Sequence, residues 1–149
     1  MISFVARPEG TLLDGTPLNE AIAAIDAAIT PCPLAYMINC THASVFRRAI
    51  LHESNSSPLV RERVIGLLAN TAALSPEELD ASTELVEEEP ETFGYSVSAL
   101  HRELGMKIVG GCCGTDERHI ERLAQELTKT GGNYKTGIHH AAASTLIVT

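Results

Sequence analysis

Three cysteines stand where strands are expected to end. Cys40 closes the run Leu34 to Asn39, and the adjacent pair Cys112–Cys113 follows the run Met106 to Val109. Thiolates converging on one side of a fold form a soft donor set suited to zinc. Three protein ligands leave a fourth position open, as catalytic rather than structural sites do. A metal held there keeps an incoming thiol deprotonated at neutral pH, and three thiolates outweigh the cation, so the sulfur retains electron density for attack. The chemistry that fits is alkyl transfer to sulfur. GGCCGT also reads as a tight turn of small residues filling space, because the cysteines lack a CxxC spacing. Spacing alone leaves both readings open.

The other reactive types read more plainly. Cys32, between Pro31 and Pro33, precedes a strand and belongs to the opposite edge of the fold, as a structural residue. His42 offers a fourth ligand or a proton carrier, and is read in preference as a loop hydrogen-bonding residue. His119 is expected on a solvated helix face, and His139 and His140 lie in a tail. Asn39 and Asn70 end their strands, where each serves either a polar substrate head or a neighbouring backbone. Gly114-Thr115-Asp116 opens a helix whose N-terminus attracts negative charge, but GGCCGT matches no phosphate-binding loop.

The elements that must position these residues repeat about four times as apolar run, polar loop and amphipathic segment. Ile2–Ala6, Leu34–Asn39, the run RVIGLLAN and Met106–Val109 are the expected strands. NEAIAAIDAAI, SVFRRAILHE with Ser44 as its N-cap, FGYSVSALHREL and DERHIERLAQELTK are the expected helices. In the last of these, Ile120, Leu123, Ala124 and Leu127 form an apolar stripe. The acidic cluster EEEPE before the third of these helices reads as solvated surface. Strands alternating with helices imply βαβ units and a parallel sheet. Right-handed crossovers then bring every strand-to-helix loop to one edge, so Glu9, Cys40, Asn70 and Cys112–Cys113 should face one crevice.

With 149 residues, 11 Lys+Arg and 19 Asp+Glu, the chain carries a net charge of −8. That balance, with no basic stripe, argues against a nucleic-acid or anionic-membrane partner. The start MISFVARPEG lacks the basic and apolar regions of a signal peptide, and no run is long enough to span a bilayer, so a cytoplasmic protein is expected. Four cysteines are too sparse for a disulfide scaffold.

INCTH at 38–42 and IVGGCCGT at 108–115 resemble the homocysteine S-methyltransferase family, as do DGTPLNEAI and GLLAN. The resemblance covers roughly residues 1–128. It implies an α/β fold of about four βα units, corresponding to strands five to eight of a (β/α)8 TIM barrel, in residues 1–130. Residues 131–149 are expected as a disordered tail. It further implies Zn2+ bound by Cys40, Cys112 and Cys113, and methyl transfer from a small donor to homocysteine, giving methionine. Glu9 matches a glutamate that holds the homocysteine amino group in some members, Asn39 matches the family's Asn before the first zinc cysteine and Asn70 its Asn after the seventh strand, and the resemblance implies that all three bind substrate. The family's first four units, with their DGG-type motif, have no counterpart here. The resemblance therefore implies completion by self-association or by an N-terminal half-barrel partner, with an inactive remnant as the alternative.

Overall fold

The sheet is built from sequential, parallel strands, and this order fixes where the helices lie. The computed structural model describes residues 1–74, 78, 88–129 and 146–148. Its elements are β1 (Ile2–Phe4), α1 (Leu18–Ala28), β2 (Tyr36–His42), α2 (Ala43–Leu51), α3 (Pro58–Arg63), β3 (Val64–Asn70), α4 (Pro90–Leu104), β4 (Ile108–Gly111), α5 (Glu117–Thr128) and β5 (Leu146–Val148). The strand order is β1-β2-β3-β4-β5, parallel throughout. A doubly wound sheet reverses its strand order and carries helices on both faces. Here the order never reverses, so right-handed crossovers put the helices on one face, as in the wall of a (β/α)8 barrel.

Burial follows that geometry. Ile38, Leu67 and Val109 are in register across β2, β3 and β4 and are fully buried, against Ile22, Phe46, Val97 and Leu123 from the helices. Burying each such side chain contributes about 1.5–3 kcal/mol. The neighbouring row turns to the other face. There Ser3 is exposed, Asn39 and Leu68 are half-buried, and Gly66 sits where a Cβ would come within 3.0 Å of Ile108 Cβ. At the N-terminal end of the strands Arg63 forks onto Asp26 at 3.0 and 2.8 Å and bonds the carbonyls of Pro33 and Leu34. Tyr36 donates to the same carboxylate at 2.8 Å. This end carries Cys32, exposed and away from the other thiols.

Several local expectations need correction. The N-cap of α2 is His42, whose ring accepts the Ser44 N–H, rather than Ser44 itself. The segment PLVRER forms α3, capped by Ser57, where no helix was expected. His119 is fully buried instead of solvated. Its Nδ1 pairs with Asp116 Oδ1 at 2.8 Å in a capping box and its Nε2 meets the Glu88 carbonyl at 2.9 Å. Phe93 packs edge-on against its ring. Within EEEPE, Glu89 and Glu91 are exposed, while Glu88 is half-buried. Residues Leu146–Val148, from the segment expected as a tail, pair with Ile108–Gly110 and cover the outer edge of β4. His139 and His140 lie outside the described residues, as does most of the long loop after β3.

Candidate metal centre

Cys40 reaches the site through an irregularity in β2. Asn39 pairs with Leu68 and Thr41 with Ala69, leaving Cys40 as the extra residue of a β-bulge. Its φ is +48°, the left-handed region that residues with a Cβ rarely occupy. The bulge re-aims the side chain, so that Cys40 Sγ comes 2.9 Å from Cys112 Sγ. Asn39 Nδ2 donates to Cys40 Sγ at 3.3 Å, and Asn39 Oδ1 accepts the Ser3 hydroxyl at 2.6 Å. Asn39 thereby ties β1 to the thiol. Because the strain is local, Cys40→Gly should fold about 1 kcal/mol more stably than Cys40→Ala, since glycine adopts positive φ freely. Urea unfolding of the two variants checks this; equal midpoints would mean that the bulge stores no strain.

Cys112 and Cys113 sit at the end of β4, laced to the end of β3. The Cys112 N–H donates to the Ala69 carbonyl at 2.8 Å, the Cys113 N–H to Asn70 Oδ1 at 3.2 Å, and the Thr71 N–H to the Cys113 carbonyl at 3.2 Å. Thr115 closes the turn, with its hydroxyl donating to the Cys112 carbonyl at 2.6 Å. Gly114, at φ +79°, then lets the backbone pass against Thr71. Cys112 and Cys113 sulfurs are 4.0 Å apart, and all three sulfurs lie within 4.8 Å of one another. Among the described residues this is the one cluster of ligating side chains able to hold a metal ion.

The electrostatics favour neutral thiols until a cation arrives. Burial, reinforced by the hydrogen bond with Cys112, pushes the Cys40 thiol up to about 12. Burial and then the nearby Cys112 also raise Cys113. With the Cys40 and Cys113 thiols both made weaker acids, the cluster cannot ionise fully without a compensating positive charge.

Beside Cys40 opens a cavity of about 230 Å³ lined by Ala6, Arg7, Pro8, His42 and Arg48 among others. His42 has its Nδ1 committed to the Ser44 N–H at 3.2 Å, which leaves Nε2 as the protonated nitrogen of the neutral ring. That Nε2 lies 3.6 Å from Glu88 Oε2, a buried oxygen with no hydrogen bond. His42 therefore caps a helix and faces a carboxylate, outside the sulfur cluster. Glu9 is exposed just beyond Pro8, and its carbonyl accepts from Ser54 Oγ at 3.4 Å in the neighbouring loop. Asn39 and Asn70 both touch cysteines, through a side-chain donor and a side-chain acceptor respectively. Glu88, Thr71 and Ser3 were not anticipated, because nothing in their local sequence marks them.

A singly wound parallel sheet with a three-thiol cluster at its C-terminal edge defines a half-barrel unit of the (β/α)8 kind with a candidate metal centre. The homocysteine S-methyltransferase family model matches residues 1–127, and the chain belongs to that family. Neither curated proteins nor solved structures gave a match to it. No helix among the described residues is long and apolar enough to cross a membrane.

Proposed function

We propose that this chain binds Zn2+ through Cys40, Cys112 and Cys113 and transfers a methyl group from a small donor to the thiol of homocysteine, giving methionine. The observation that carries this reading is the convergence of three cysteine sulfurs, from two different strand ends, within 4.8 Å of one another, with Cys40 also lining the adjoining cavity. Four-coordinate zinc with Zn–S bonds of about 2.3 Å spaces its sulfurs about 3.8 Å apart. The Cys112–Cys113 separation of 4.0 Å meets this, and Cys40 needs to withdraw from Cys112 by less than an ångström (~0.9 Å) to match it. When bound, the ion would supply Lewis acidity that keeps a substrate thiol deprotonated at neutral pH.

The chain's own residues would do the rest. The Asn39 amide donates to Cys40 Sγ and fixes its direction. Glu9 and Asn39 are the residues proposed to meet the amino-acid head of homocysteine, and the arginines of the adjoining cavity, Arg7 and Arg48, complement its carboxylate. In the transfer, a bond forms from the homocysteine sulfur to the methyl carbon as the carbon–donor bond breaks. The thiol proton passes to solvent. The half-barrel also supports a partner: the outer edge of β1 has no strand beside it among the described residues, and open parallel edges recruit strands. We propose that further βα units, from a second copy or another chain, close the barrel. The free thiols suit a reducing compartment, the cytoplasm.

The test supplies zinc-loaded protein with homocysteine and, in turn, S-methylmethionine, S-adenosylmethionine and betaine, and measures methionine. Transfer with one donor supports the reading. Zinc binding without transfer at any protein concentration, alone or with a completing half-barrel, would contradict the enzymatic part. Binding should also be pH-dependent. The raised Cys40 and Cys113 thiols are protonated at neutral pH, so each must release its proton on ligation. Apparent zinc affinity should then rise by about 100-fold or more per pH unit between pH 6 and 8. The same shift makes the metal-free fold most stable below the ordinary thiol range, with that contribution lost as pH climbs toward about 12. Chelator competition at three pH values checks the first, and a flat affinity would contradict it.

A further inference from the structure

The sheet ladder between β3 and β4 ends at the pair Ala69–Gly111, yet its hydrogen bonding continues beyond. The Cys112 N–H takes the Ala69 carbonyl as a normal backbone rung, and the next rung is made by a side chain, Asn70 Oδ1 accepting the Cys113 N–H. Thr71 completes the series by donating its N–H to the Cys113 carbonyl. Three successive residues, Ala69 and Asn70 at the end of β3 and Thr71 just beyond it, therefore grip both cysteines. Cys112 has a further hold, through Thr115 on its carbonyl, and it lies against Cys40. Cys113 is exposed, and apart from the contact of its sulfur with Cys112 its direction depends on the two bonds that Asn70 and Thr71 make to its backbone. Asn70 is 1% exposed and cannot exchange this bond for one to bulk water.

We propose that Asn70 is a positioning residue that sets the third sulfur of the cluster, a side chain standing in for a strand rung so that the backbone can turn away at Gly114 while Cys113 stays aimed at Cys40 and Cys112. This rests on the metal-binding reading above. It assigns Asn70 a place behind the ligand instead of against the substrate. The neutral carbonyl suits the position: an acceptor is required, and a carboxylate there would add negative charge beside the thiols.

The experiment compares wild type, Asn70→Ala and Asn70→Asp with two readouts. In metal-free protein, the Cys113 amide should exchange with deuterium at least about tenfold faster in Asn70→Ala, and remain protected in Asn70→Asp, which keeps the acceptor. With Co2+ as the probe, Asn70→Ala should bind about 10–100-fold more weakly, with reduced sulfur-to-cobalt absorption, and Asn70→Asp should recover the absorption. If Asn70→Ala does not fold, Asn70→Ser, whose hydroxyl is too short to span the gap, replaces it. Unchanged exchange at Cys113 overturns the proposal whatever the metal does. Wild-type protein that shows Asn70-dependent exchange but takes up no Co2+ leaves the clamp standing and overturns the metal reading.

Discussion

Cys112→Ser should reduce bound zinc from about one per chain to near zero while leaving the fold intact. Cys112 is the middle sulfur of the cluster, 2.9 Å from Cys40 and 4.0 Å from Cys113. Serine replaces a soft, readily ionised donor by a hydroxyl that stays protonated near neutral pH, and two thiolates do not make a tight zinc site. The backbone of residue 112 is held independently of its side chain, by the Ala69 carbonyl on one side and Thr115 on the other. Loss of metal without loss of helix content is therefore the expected combination, read by elemental analysis and circular dichroism on anaerobically purified protein. Cys40→Ala should behave in the same way and abolish methyl transfer. Retention of a full complement of zinc by either variant would place the metal elsewhere.

Gly114→Val should be far more damaging to folding than any cysteine substitution, costing about 2–6 kcal/mol. Its φ of +79° costs a β-branched residue of order 1–3 kcal/mol. A Cβ at this position would also overlap Thr71 Oγ1, and Thr71 is 3% exposed with its N–H bonded to Cys113, so it cannot step aside without breaking the lacing. Overpacking of that kind costs a further 1–3 kcal/mol or so. Against a total stability of about 5–15 kcal/mol, the loss is large. Urea denaturation should show a clearly lowered midpoint, with metal binding impaired in whatever folds. A midpoint equal to wild type would mean that the turn is looser than the structure describes.

The three thiols were legible in the sequence because residue type and element order sufficed. Each cysteine follows an apolar run, and the right-handed crossover rule brings such positions to one edge without any knowledge of distances. The bulge was not legible. Cys40 has no local preference for a positive φ, and the pairing of Asn39 and Thr41 with consecutive residues of β3 imposes it. The contact between His42 and Glu88 joins residues far apart in the chain, so no spacing could announce it. His119 is a different case, since its signal was present. It lies four and eight residues before Leu123 and Leu127, the two fully buried leucines of α5, whereas Ile120 and Ala124 are only half-buried. The stripe was read correctly at Leu123 and Leu127, but the residue that continues it toward the N-terminus is His119 rather than Ile120. The six-residue helix α3 is too short for its periodicity to show, and only Ser57-Pro58, a cap followed by proline, marks its start. Asn70 was legible as a strand-end polar residue, but whether it faces a ligand or a backbone depends on where β4 stops.

In the proposed site three cysteines hold zinc and leave a position for the substrate sulfur. X-ray absorption at the zinc edge tests it on the zinc-loaded chain, with and without homocysteine. About three sulfur neighbours and one lighter atom are expected without homocysteine, becoming four sulfurs when it is added. A sulfur count that does not change on adding homocysteine, or a chain that takes up no stoichiometric zinc, would contradict it.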